Sequence, residues 1–207
     1  MITQESNFPF QSSAIDYIER LQNALGLIPL DSVELLALEL LEVWRTKRQV
    51  FIVGNGGSAG NSIHLTNDFI YGICKSIGGG IRMQALASNQ AMVTCLGNDV
   101  GYENIFSHQL AVLGQSGDLL IALSGSGNSP NILNALAQAK VAGLKSFAIL
   151  GFNGGKAKML CDHAIHVPVH DMQISEDSQL IIGHMVMQWF YRLQIDKIAV
   201  DSEVDTK

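Results

Sequence analysis

Two segments of the chain share one plan, a continuously apolar run delivered into a loop of small residues. Val50-Phe51-Ile52-Val53 leads into Gly54-Asn55-Gly56-Gly57-Ser58-Ala59-Gly60, and the run from Asp118 to Leu123 leads into Ser124-Gly125-Ser126-Gly127-Asn128-Ser129. An apolar run without alternation reads as a strand buried on both faces, which is how strands of a parallel sheet read. Each loop then opens a stretch of helical pattern. Strand, small-residue turn and helix in succession is the repeating unit of a layered α/β fold.

The rest of the chain extends that unit. Met83–Leu86, Ser146–Leu150 and Ala164–Val167 read as three further strands. Helical patterns fall between them, at about 58–75, 89–96, 104–113 and 130–142, with a long one over 175–195. The expected architecture is a three-layer α/β sandwich with a central parallel five-stranded sheet, Rossmann-like, plus N-terminal helices. The first of those helices carries Ile15, Ile18, Leu21 and Leu25 at helical spacing. The second, opened by Asp31 or Ser32, is apolar on more than one face from Val33 to Trp44, the pattern of a helix with two neighbours. Residues 1–10 are expected to be flexible, 11–198 a single domain with a helical arm (core about 35–195), and 199–207 an acidic tail.

Composition limits the partners. Of 207 residues 47% are hydrophobic and only 15% charged, which excludes a disordered chain. So little charge suggests a surface partly covered by other subunits. A net charge of −6 argues against nucleic acid or an anionic membrane as the main partner. Cys74, Cys95 and Cys161 are far apart and form no CxxC pair, so they read as free thiols of a reducing compartment. No basic leader followed by an apolar run, and no apolar stretch of membrane-spanning length, is found. A cytoplasmic location is expected.

Both loops have the makings of a phosphate cradle, because backbone N–H groups and a helix N-terminus converge on each. Gly54, Gly56 and Ala59 also fit a GxGxxA dinucleotide fingerprint. That fingerprint needs a carboxylate at the end of the next strand, and RMQALASN offers none. No GK[ST] triplet follows, so a Walker loop is excluded and no nucleotide cofactor is expected. The second loop adds three hydroxyls, Ser124, Ser126 and Ser129. Hydroxyls with backbone amides suit a phosphate monoester without Lys or Arg. The plainer alternative makes Ser129 a helix cap and nothing more; three spaced hydroxyls fit phosphate better. Loops at the carboxyl ends of parallel strands can face one crevice.

His64 and Asp68 lie four apart and share a helix face, continued by Tyr71 and Lys75. A solvated ion pair is the plain reading of that face alone. The C-terminal helix is apolar almost all round, yet carries Glu176, Asp177 and His184. Ionisable groups on such a helix need a partner or a purpose. Asn98-Asp99 reads locally as a helix stop, with a second possibility of reaching a sugar.

GNGGSA with a His five residues after the Ala, then CLGND-x-GYENIF, then SGSGNSPN, then a late His on the C-terminal helix, together resemble the SIS (sugar isomerase) domain family, and within it the phosphoheptose isomerases. That resemblance spans about residues 35–195 and implies aldose–ketose isomerisation of a phosphosugar, such as sedoheptulose 7-phosphate, in a homotetramer with shared sites. It implies substrate contacts from Asn55, Gly56, Gly57, Ser58, Asn98 and Asp99, and a phosphate loop of Ser124, Gly125, Ser126 and Ser129. His64 matches a histidine that binds zinc in some members, and His184 one that acts as acid or base and can also ligate metal.

Three positions depart from the family pattern. Asp68 stands where the family has its catalytic Glu, and Glu176 where it has Gln. Gly72 also replaces a common Arg, with Lys75 as a candidate substitute. Within the resemblance, Asp68 or Glu176 would be the base, His184 the acid, and an enediol(ate) the intermediate. His64, Asp68, Glu176 and His184 would alternatively enclose Zn²⁺. Some SIS proteins of similar sequence lack catalysis and serve as assembly factors for replication initiation, which is the rival implication.

Overall fold

The computed structural model describes residues 9–74 and 79–204, with 74 and 194–204 as backbone only. Lys75 and the first eight residues lie outside that range. Helices α1 (Phe10–Leu25) and α2 (Leu30–Arg45) precede β1 (Val50–Val53) and α3 (Gly57–Ile70). Then come β2 (Met83–Ala85), α4 (Gln90–Asp99), α5 (Ser107–Leu113), β3 (Leu119–Ser124) and α6 (Pro130–Ala142). The chain finishes with β4 (Lys145–Leu150), α7 (Ala157–Leu160), β5 (His163–His166) and α8 (Met172–Val204). The five strands form one sheet in the order β2-β1-β3-β4-β5, and every pairing is parallel.

Residue alternation along the strands divides the core in two. Val50, Ile52, Leu119, Ile121, Leu123, Phe147 and Ile149 face α1, α2, α3 and α8. Phe51, Val53, Leu120, Ala122, Ala148 and Leu150 face the layer of α4–α7. Both faces of the central strands are covered, and β1 and β3 are buried throughout. This is the expected three-layer α/β sandwich.

Local chemistry sets the helix ends. Asn89 caps α4 by accepting from Met92 N–H, and Asp171 caps α8 by accepting from Ile174 N–H. Helix α6 has Pro130 in its first turn and ends on left-handed Gly143. Three expectations needed adjustment. The helix expected over 58–75 stops at Ile70, because Gly72 disfavours its continuation and a 3₁₀ turn, Gly72–Cys74, follows. The helix expected over 104–113 is a 3₁₀ turn, Tyr102–Asn104, then α5; the fully buried Ile105 and Phe106 tuck the chain inward between them. Helix α8 begins three residues earlier than expected, at its Asp171 cap, and continues beyond 195.

Candidate functional site

The strand order reverses between β1 and β3. Their following helices, α3 and α6, consequently leave toward opposite faces, which opens a crevice at the carboxyl ends of these strands. Both small-residue loops border it. A pocket of about 100 Å³ is lined there by Asn55 and Ser58 of the first loop, by Ser124, Gly125, Ser126 and Ser129 of the second, and by Met172 and Glu176 of α8.

The second loop is shaped by its own hydroxyls and by the segment after β4, whose Gly151 and Ala157 N–H groups donate to Gly125 O at 3.1 Å and Gly127 O at 2.9 Å. Ser124 Oγ accepts from Gly127 N–H at 3.0 Å, and Ser126 Oγ accepts from Asn128 N–H at 3.3 Å. Ser129 occupies the N-cap position of α6 but its side chain makes no capping hydrogen bond. The cap-only reading of Ser129 therefore lacks its defining contact. The first loop is tied across the crevice instead. Asn55 and Asn131 exchange two amide hydrogen bonds, each 2.8 Å, and Tyr102 donates to Asn55 Oδ1 at 3.1 Å. Gly56 precedes α3 with φ 54. Gly57 is covered by the Glu176 carboxylate so closely that any side chain at 57 would collide with it.

A second cluster lies further along α3 and α8. His64 Nε2 and His184 Nε2 are 2.9 Å apart, and each is 3.3 Å from Asp68 Oδ2. The two rings meet edge to face. The helices approach closely here because residue 183 is glycine, with the Leu65 side chain in the space a Cβ would take. Asn61 fixes their register by donating to the Glu176 carbonyl at 2.9 Å and to Gln179 Oε1 at 3.1 Å.

The donor set fits a divalent metal. Two imidazole nitrogens and one carboxylate oxygen lie within 4.8 Å of one another. Tetrahedral zinc with bonds of about 2.0–2.1 Å separates its ligand atoms by about 3.3 Å, close to the spacing of this trio. Within one copy of the chain Glu176 is not in the trio. Eight residues of helix place it about 12 Å along α8 from His184, so the two carboxyl-end features are served by different turns.

The 139 residues from 13 to 151 match the family model described as SIS domain. The chain belongs to the SIS-domain family. It is 36% identical over 154 residues to the phosphoheptose isomerase of Aneurinibacillus thermoaerophilus, covering 74% of this chain and 77% of that one. A Burkholderia pseudomallei phosphoheptose isomerase is 38% identical over 138 residues, 67% of this chain and 70% of the other. Among solved structures, the phosphoheptose isomerase of Neisseria gonorrhoeae superposes with a TM-score of 0.79 at 25% identity, covering 87% of this chain and 95% of that one.

In this SIS chain, Asn98 and Asp99 sit exposed at the end of α4, outside the serine pocket. Asn98 donates to Asp99 Oδ1 at 2.8 Å and Cys95 Sγ lies 3.5 Å from Asp99 Oδ2, so both are engaged locally. Sequence reasoning missed Asn131, Tyr102, Asn61 and Gln179. Asn131 directly follows Pro130 in the quoted SPN motif, and its place in the first turn of α6 was the available signal.

Proposed function

We propose that the chain is a phosphosugar isomerase that interconverts an aldose and a ketose phosphate, with sedoheptulose 7-phosphate as the ketose. The observation that carries this reading is the serine-lined pocket with a carboxylate, Glu176, at its wall. The hydroxyls and amides of Ser124–Ser129 hold the phosphate, and Asn55 and Ser58 reach the sugar. Anchoring the remote phosphate supplies binding energy that can be used at the reacting carbons. A carboxylate, Asp68 or Glu176, takes the proton from carbon, while His184 exchanges the proton on oxygen and so carries the chain through an enediol. The relatives named phosphoheptose isomerases support the same reaction class.

In the alternative arrangement His64, Asp68 and His184 would hold Zn²⁺ in place of the acid–base roles of Asp68 and His184, and the ion would supply Lewis-acid polarisation of a substrate oxygen. A fourth protein ligand from Glu176 requires a second copy, given its distance along α8. Such sharing accords with a homotetramer, as do the exposed Leu30, Leu35, Leu38 and Met185 beside the α2–α8 groove. A reducing, cytoplasmic setting accords with unpaired Cys95 and Cys161. No helix among the described residues is long and apolar enough to cross a membrane.

Asp68 favours a second reading, a phosphosugar-binding protein without turnover. Its side chain is one methylene shorter than Glu, and a displacement of that size can cost about 100-fold in rate. Direct assay of sedoheptulose 7-phosphate isomerisation decides between them. Turnover that falls by about 10²–10⁴-fold in His184→Ala is expected. Binding of the sugar phosphate with no turnover in the wild-type chain would establish the second reading.

A further inference from the structure

The amino ends of the strands form a second depression, separated from the serine loop by the six-residue β3, about 17 Å of strand. Its volume is about 510 Å³, and Lys47, Arg48 and Arg82 line it together with Asp118, Gln84 and Thr46. Three cations in one depression are conspicuous in a chain with 13 Lys and Arg and a net charge of −6.

The fold fixes the Lys47 backbone and both guanidinium groups, although all three residues are exposed. Helix α2 ends in a turn in which Arg48 N–H donates to Val43 O at 3.0 Å and Lys47 N–H donates to Trp44 O at 3.2 Å. Such a turn puts its penultimate residue in the left-handed region, and Lys47 has φ 55. Helix α6 ends the same way, with Leu144 N–H on Ala139 O at 2.9 Å, and there the left-handed residue is Gly143, φ 74. Lysine at this position bears a steric cost that glycine avoids. The Arg48 guanidinium donates to the Ser116 carbonyl and lies against Gly117, φ 88, where a side chain would collide with it. Arg82 Nη1 donates to the Lys47 carbonyl at 2.9 Å.

The cations are not neutralised from within. Among the described residues none of the three has a carboxylate partner. Asp118 is buried, and its two oxygens accept the Gln49 and Gln115 backbone N–H groups, both at 2.9 Å. Cations near the end of α2 also complement its dipole, but this accounts neither for Arg82, which arrives from the start of β2, nor for a lysine in a glycine conformation.

We propose that this depression binds a small molecule carrying two phosphate groups, an organic diphosphate, through Lys47, Arg48 and Arg82. Pre-oriented guanidinium groups give charge-assisted hydrogen bonds to phosphate oxygens. The cavity exceeds the needs of one phosphate, and the exposed Gln84 offers hydrogen bonds to the rest of the ligand. The inference is independent of the isomerase reading.

Inorganic pyrophosphate is the probe, titrated by calorimetry into the full chain at constant ionic strength. Binding is expected to persist when Ser124→Ala and Ser126→Ala disable the serine loop. It should weaken about tenfold or more in Lys47→Gly and again in Arg82→Gln. Lys47→Gly relaxes the turn, so its melting temperature should hold or rise, which separates lost binding from lost folding. No binding at millimolar pyrophosphate would overturn the proposal. So would binding abolished by the serine variants and untouched by Lys47→Gly and Arg82→Gln, or binding matched by chloride of equal ionic strength.

Discussion

The loops after β1 and β3 read alike in sequence, yet the fold uses them differently. The loop after β3 adds to its own bonds, through Ser124 and Ser126, three from the segment after β4: Gly151 N–H donates to Gly125 O at 3.1 Å, Ala157 N–H to Gly127 O at 2.9 Å and Lys156 N–H to Asn128 Oδ1 at 3.1 Å, while Ser129 has no capping bond. Its three serines line the small pocket. The loop after β1 is engaged by other elements: Asn131 of α6 and Tyr102 grip Asn55, and Glu176 of α8 covers Gly57. One loop is a cradle braced by the neighbouring segment after β4, and the other is a junction where three elements meet the crevice. Similar composition thus licenses similar backbone geometry but not a similar role. The role depends on what packs over the loop.

The contrast breaks most readily at the cradle. Ser124→Ala combined with Ser126→Ala removes two hydroxyls, each worth about 1.5–3 kcal/mol when it meets a charged group. KM for sedoheptulose 7-phosphate should rise about 100-fold or more, with kcat changed less. Steady-state kinetics on the sugar with and without its phosphate provide the check. The phosphorylated substrate should lose most of its advantage. An equal loss on both sugars would mean that the hydroxyls merely shape the loop.

The junction answers to a different change. Gly57→Ala places a methyl group where the Glu176 carboxylate lies. The obstructing atoms are the far end of a flexible side chain, so displacement costs little stability. A misplaced carboxylate lowers kcat, here by about tenfold, while KM for the phosphosugar changes less. Enzyme kinetics beside a melting curve would show it. A large drop in melting temperature would mean that Glu176 braces α3 and has no part in chemistry.

How much of this was legible beforehand follows from what kind of information each feature needs. The strands announce themselves because both sheet faces are buried, so Val50–Val53 and Leu119–Ser124 carry no alternation. His64 and Asp68 are visible as an i, i+4 pair. Their meeting with His184 depends on the close crossing of α3 and α8, and only the small Gly183 hints at it. Glu176 shares helix α8 with His184, and from sequence alone that places it among the candidate metal ligands. Helical rise, about 1.5 Å per residue, separates them and sends Glu176 to the serine pocket. Asn131, Tyr102 and Asn61 act through partners on other elements, and no local spacing records such pairs.

The smallest expected effect tests what holds α8 over the junction. Tyr17 of α1 donates to Asp177 Oδ2 at 2.5 Å, next to Glu176, and Arg20 pairs with Asp171 at the start of α8. Desolvation first, and then the hydrogen bond and charge of Asp177, push the Tyr17 phenol up to about 12 from its usual 10. The folded protein therefore holds this proton more tightly than the unfolded chain does. The contribution is complete below pH 10 and is lost as pH rises through 10 toward 12. Phenolate beside a carboxylate would then repel, loosening α1 from α8. Melting temperature measured between pH 8 and 12 should fall more steeply in the wild type than in Tyr17→Phe, which cannot ionise. The difference should amount to a few degrees, since a change of about 1 kcal/mol shifts a domain of this size by about 2–4 °C. Parallel curves would show that α8 is positioned by its packing on α3 alone, with Asn61 as the polar tie between the junction and the His–Asp cluster.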